Sequence, residues 1–206
     1  MTDRRSDLRA AVILITSTLL LILSYYHTLL GDETISSLVF YFLIPLAVVL
    51  ALLREGPRDF GLSLGDWRKG LTFSIVGIAV MAVIIAGLAQ LQPFKEYYAL
   101  GFFGDREARR MLEFAVRQGI YMFSWEFIFR GFMLFGLRDR FGSLAIWIQA
   151  IPFAIMHLGK PELETLSTIF GGAAFGYIDL KSRSVLPSVA IHWAIYIMMV
   201  FAASSA

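Results

Sequence analysis

The stretch 112-LEFAVRQGIYMFSWEFIFRGFMLFGL-137 decides the fold. At ~1.5 Å of rise per residue it is long enough to cross the ~30 Å hydrocarbon core of a bilayer as a helix. Its apolar run is too long, and lacks the period of two, for a strand. Yet it carries Glu113, Arg117, Glu126 and Arg130. Glu126 and Arg130 are four residues apart and share a helix face. An ionisable side chain at mid-bilayer costs ~2.5–3.5 kcal/mol on insertion scales, so such a residue is by default a functional candidate. The plainer alternative is an ion pair that permits insertion. Gly131 and Gly136 beside it permit close helix approach, as expected in a bundle interior.

The rest of the chain agrees with a membrane reading. Of 206 residues, 58% are apolar and 17% charged, against roughly a quarter charged in soluble proteins. The mean hydropathy is +0.70. This balance excludes a disordered chain, a nucleic-acid-binding module and a secreted disulfide scaffold. With no cysteine, thiol catalysis, zinc–thiolate sites, iron–sulfur clusters and covalently attached haem are excluded too. The net charge of +2 and pI of about 9.0 reflect a slight basic excess. Further apolar runs occupy 10–31, 34–53, 70–94, 141–159, 163–180 and 184–206, with Asp179 at the end of the sixth in chain order. The expectation is an all-α bundle of about seven transmembrane spans. The loops are short, and neither a repeat nor a soluble domain is visible. The chain therefore reads as one integral membrane domain over 1–206, divided into N-terminal spans (1–111) and a core (112–206).

Charge bias sets the orientation. With the N-terminus inside, eleven Lys and Arg residues fall in cytoplasmic segments, among them Arg4, Arg5, Arg9, Arg138 and Lys181. Five fall outside: Lys95, Arg106, Arg109, Arg110 and Lys160. The segment 95–110 reads as an interfacial helix leading into the fourth span. The first run, preceded by arginines but longer than a signal-peptide core, reads as an uncleaved anchor.

Two of the three histidines lie within apolar runs. His157 follows Phe153 by four residues, which stacks the ring one turn before the imidazole. His192 precedes Tyr196 by four, so both can face one cavity. His27, after Tyr25 and Tyr26, reads as an interface residue. A carboxylate, two imidazoles and an arginine on three helices suit three chemistries. One is general-base hydrolysis, in which Glu126 and His157 polarise a water and His192 stabilises the oxyanion. Another is a divalent metal such as zinc held by Glu126, His157 and His192, although no HExxH motif is present. The last is a proton or ion pathway, against which the lack of repeats weighs.

Order and spacing resemble the CAAX protease and bacteriocin-processing (CPBP/Abi) family of intramembrane proteases. The family's first motif is two glutamates followed after three residues by arginine, often with glycine. Here it reads Trp125-Glu126-Phe-Ile-Phe-Arg130-Gly131. The second, Phe-x-x-x-His, is met by Phe153 and His157. The third, His-x-x-x-Asn, becomes His192 and Tyr196. The match covers roughly 110–205. It implies an intramembrane endopeptidase acting on a membrane-associated peptide or protein, needing no cofactor, in a multi-pass chain of a bacterial cytoplasmic membrane. Glu126, His157 and His192 would be catalytic, with Arg130, Tyr196, Phe153 and Trp125 in support. Trp125 stands where the family's presumed base is, and it cannot accept a proton. This leaves two readings: Glu126 takes over as base, or the chain is a non-proteolytic scaffold or immunity-type relative. Tyr196 can still donate to an oxyanion. On upright helices Glu126, His192 and His157 lie about 17, 11 and 21–24 Å from their cytoplasmic ends. Their convergence requires the fifth helix to tilt or to stop short.

Overall fold

Long apolar runs without strand periodicity fold as helices because a helix satisfies every backbone polar group within its own segment. A computed structural model describes residues 4–99 and 108–205. Among these residues the long elements are eight helices. They are α1 (Arg4–Tyr26), α2 (Glu33–Leu53), α3 (Trp67–Leu88), α4 (Gln92–Ala99), α5 (Arg109–Phe141), α6 (Leu144–Ile155), α7 (Glu162–Ser182) and α8 (Leu186–Ser205). Short 3₁₀ turns at Leu29–Gly31 and Pro57–Phe60 serve the connections.

Five helices are long and apolar enough to cross a membrane: α1, α2, α3, α5 and α8. The expectation of about seven spans is corrected on two counts. The run over 141–159 yields only the 12-residue α6, about 18 Å long at 1.5 Å per residue, too short for a ~30 Å core. The 21-residue α7 is long enough but carries Glu162, Glu164, Asp179 and Lys181. The third run also ends early: α3 stops at Leu88, and α4 is a separate helix packed on α8. Part of the expected interfacial helix over 95–110, including Arg106, lies outside the described residues.

The core lies around α5. Its middle is buried almost completely, with Phe127, Ile128, Phe129, Phe132 and Leu134 all out of contact with the surroundings. From Phe127 to Phe135 the backbone makes wide i→i+5 turns, a rare conformation that recurs at functional sites. Two glycines on this stretch are required by packing. A Cβ at Gly136 would lie 2.5 Å from Ile13 of α1, and one at Gly131 would lie 2.3 Å from the Phe127 ring. The N-terminal ends of α1 and α2's far end are tied to the end of α5 by charge. Arg9 pairs with Glu55 (2.9 Å) and Asp139 (2.6 Å), and Arg140 pairs with Asp7. At the opposite end Asp32 caps α2, accepting from the amides of Thr34 and Ile35 at 2.8 and 3.0 Å, and takes Arg117 of α5 at 2.6 Å. α6 packs along α7, while α8 packs against α3, α4, α5 and α7.

Candidate functional site

Each candidate side chain is set by its local backbone. Glu126 is the last residue before the wide turns of α5, and Arg130 lies within them. α6 contains Pro152 and ends at Ile155, so His157 falls in the turn that follows. The short α6, the fifth apolar run in chain order, thus brings His157 level with the others, as convergence requires. His192 lies six residues into α8.

Glu126, Arg130, His157 and His192 do come together. Glu126 and Arg130 are fully buried. Arg130 Nε lies 3.1 Å from Glu126 Oε2, an ion pair whose angle is too poor for a hydrogen bond; Nη1 donates weakly to Oε1 at 3.4 Å. The guanidinium is instead seated on the ring of Phe153, with Cζ 3.9 Å from its centroid, a cation–π contact that strengthens when desolvated. His192 Nδ1 lies 2.5 Å from Glu126 Oε1. A carboxylate only accepts here, so Nδ1–H is the donor and Nε2 points away from Glu126.

His157 is backed differently. Its Nδ1–H donates to the Phe153 carbonyl at 2.7 Å, which leaves Nε2 of the neutral ring as an acceptor. Thr165 fixes the turn by donating its hydroxyl to the His157 carbonyl at 2.8 Å. The two imidazole planes are nearly parallel, 19° apart, with centroids separated by 6.2 Å. Phe153 fills the angle between them, 4.5 Å from His157 and 5.9 Å from His192.

Two cavities meet at this histidine pair. The larger, of about 480 Å³, is polar. Trp125, His157, His192 and Tyr196 line it, and Asp32, Arg117 and Lys160 also contribute to its walls. The smaller, of about 130 Å³, is apolar and is walled by Phe153, Phe175, Ile195 and Met199 beside the same histidines. Glu126 lines neither; it stands behind His192. Tyr196 shares the larger cavity with His192, and its ring lies 6.0 Å from that of Tyr98. Trp125 is buried among Tyr41, Tyr121, Phe129 and Phe153, and it approaches His157 at 5.8 Å with the rings nearly perpendicular. It forms part of the cavity wall rather than filling the space between the histidines.

No three His, Asp or Glu side chains among the described residues are grouped as a metal ion needs. The expected alternative of zinc on Glu126, His157 and His192 therefore has no ligand set in this arrangement. Glu126 stands behind His192, accepting from its Nδ1, and lines neither cavity on which the two imidazoles meet.

Sequence reading missed two groups of residues. Asp179, taken as the end of a span, is fully buried and accepts from Ser188 of α8 at both oxygens, at 3.2 Å from the amide and 2.6 Å from the hydroxyl. An acid near the end of an apolar run was the only available signal. The second group is Tyr98, Lys160 and Glu164, where Tyr98 and Lys160 both donate to Glu164, at 2.7 and 2.8 Å. Burial and the neighbouring carboxylate push the Tyr98 hydroxyl well above its usual range, so it remains a donor.

Residues 112–198 match the family model described as Type II CAAX prenyl endopeptidase Rce1-like. The matched segment begins near the start of α5 and contains Glu126, Arg130, His157, Asp179, His192 and Tyr196. No curated protein and no solved structure matches the chain.

Proposed function

We propose that this chain, whose residues 112–198 form a domain of the Rce1-like CAAX prenyl endopeptidase (CPBP/Abi) family, is an intramembrane endopeptidase. In this reading it is one multi-pass membrane domain over 1–206 with its N-terminus cytoplasmic. Its substrate is a membrane-associated peptide or protein, since loops this short offer no platform for a large soluble one.

The observation that carries the reading is the opposite backing of two imidazoles on one cavity. A carbonyl behind His157 leaves Nε2 of its neutral ring as an acceptor, whereas a carboxylate behind His192 accepts from Nδ1–H, and in this reading His192 works as the imidazolium paired with Glu126, donating from Nε2. The first suits a general base and the second an oxyanion donor. His157 takes a proton from water as the oxygen attacks the scissile carbonyl carbon. The tetrahedral oxyanion accepts hydrogen bonds from His192 and the Tyr196 hydroxyl. On collapse the C–N bond breaks, and the proton held by His157 passes to the leaving amine. Glu126 acts through His192 as a positioning residue, and Arg130, seated on Phe153, holds Glu126. This moves the base from Glu126, which faces neither cavity, to His157.

A comparison of protein N-termini in host membranes carrying wild type, His157→Ala or Glu126→Gln tests the reading. A set of termini present with wild type and lost together in both variants is the expected result. Identical termini in all three, at equal expression and insertion, overturn it.

One observation favours a second reading. Trp125 presents an indole to the cavity where the resembled family has a carboxylate, which suits a non-proteolytic relative. Trp125→Glu separates the two: cleavage gained only in that variant supports the second reading.

A further inference from the structure

Asp179 is a buried carboxylate that the proposed mechanism does not use. Both of its oxygens accept from Ser188, the residue one helical turn before His192. Two buried carboxyl groups on different helices thus reach α8, Glu126 at His192 and Asp179 at Ser188 one turn earlier.

A plain helix cap does not account for this. The first turn of α8 already has a neutral cap, since Ser184 Oγ accepts from the Leu186 amide at 3.2 Å. Asp179 takes a different orphan amide, that of Ser188, and holds the Ser188 hydroxyl besides, at the cost of a carboxyl group kept out of water on a separate helix. What Asp179 adds is a fixed depth and rotation of α8 at Ser188.

We propose that Asp179 is a positioning residue for His192, acting through Ser188 to hold the Glu126–His192 hydrogen bond. This rests on the reading of His192 as the oxyanion donor.

The test uses the whole protein, labelled with ¹⁵N-histidine, in lipid nanodiscs. A short N–H···O⁻ bond strongly deshields its proton, so His192 Nδ1–H gives a far-downfield proton resonance, assigned by its loss in Glu126→Gln. The expected result is that Asp179→Asn and Ser188→Ala displace or abolish this resonance. Ser184→Ala, which weakens the cap without touching the cluster, leaves it in place. A resonance lost in Glu126→Gln but unaltered in Asp179→Asn and Ser188→Ala overturns the role of Asp179 while the Glu126–His192 pair stands. Should Asp179→Asn not fold, Ser188→Ala decides the matter alone. The readout needs no substrate, so its outcome is independent of whether the chain cleaves peptides.

Discussion

A histidine is told by what stands behind it. His157 and His192 are parallel rings on one cavity, yet one is backed by a neutral carbonyl and the other by a buried carboxylate. In the proposed mechanism chemically identical side chains thereby take different duties, His157 as the neutral base and His192 as the imidazolium paired with Glu126. The same buried carboxylate makes Arg130 structurally indispensable. Removing one partner of a buried ion pair leaves an uncompensated charge, at a cost of about 3–5 kcal/mol. Arg130→Met is expected to lose about that much stability in thermal unfolding of the purified protein, and Glu126→Gln with Arg130→Met to regain most of it. Equal losses in the single and double variants would contradict this account. The four residues were legible in the sequence because ionisable groups in apolar runs are expensive. Their roles were not legible. The side of α5 on which Glu126 lies depends on wide turns that helical spacing does not reveal, and Asp179 looked like the terminus of a span.

At the scale of elements, packing distances decide what can move. Gly136 lets α1 approach α5 so closely that a Cβ there meets Ile13 at 2.5 Å. Overpacking of this kind costs about 1–3 kcal/mol. Gly136→Ala should lower the unfolding midpoint accordingly, and an unchanged midpoint would mean that the contact yields freely. At the other end, the hydrogen bond from Arg117 holds the Asp32 carboxyl below its ordinary value of 3.8, helped by the α2 amides. A carboxylate with a depressed folded value contributes stability that is present above its unfolded value and lost as pH falls through the folded one. The start of α2 should therefore loosen below about pH 3.8. Asp32→Asn should loosen it already at neutral pH, seen as faster hydrogen exchange at Thr34 and Ile35. The glycines and the apolar runs could be read directly from the sequence. The 12-residue length of α6 could not, because Pro152 and the turn after it interrupt a run that is apolar throughout.

Across the molecule, the described residues form five long apolar helices and one short one, packed on α7 and α5, that stops where chemistry is proposed. A helix that fails to cross leaves its C-terminal turn within the bundle, and this turn delivers His157 beside a residue from the far C-terminal helix. The bundle was legible from composition and run length. The count of spans was not, because run length alone does not distinguish a crossing helix from a short one paired with its neighbour.

The central claim is that water activated at His157 cleaves a peptide bond. The direct measurement is mass spectrometry of peptides released from membrane proteins in proteoliposomes containing the purified protein, in H₂¹⁸O. The account predicts a new carboxyl terminus carrying one ¹⁸O with wild type, and a fall of at least ~100-fold in its formation with His157→Ala. Labelled termini formed equally by wild type and His157→Ala, or by neither, would contradict it.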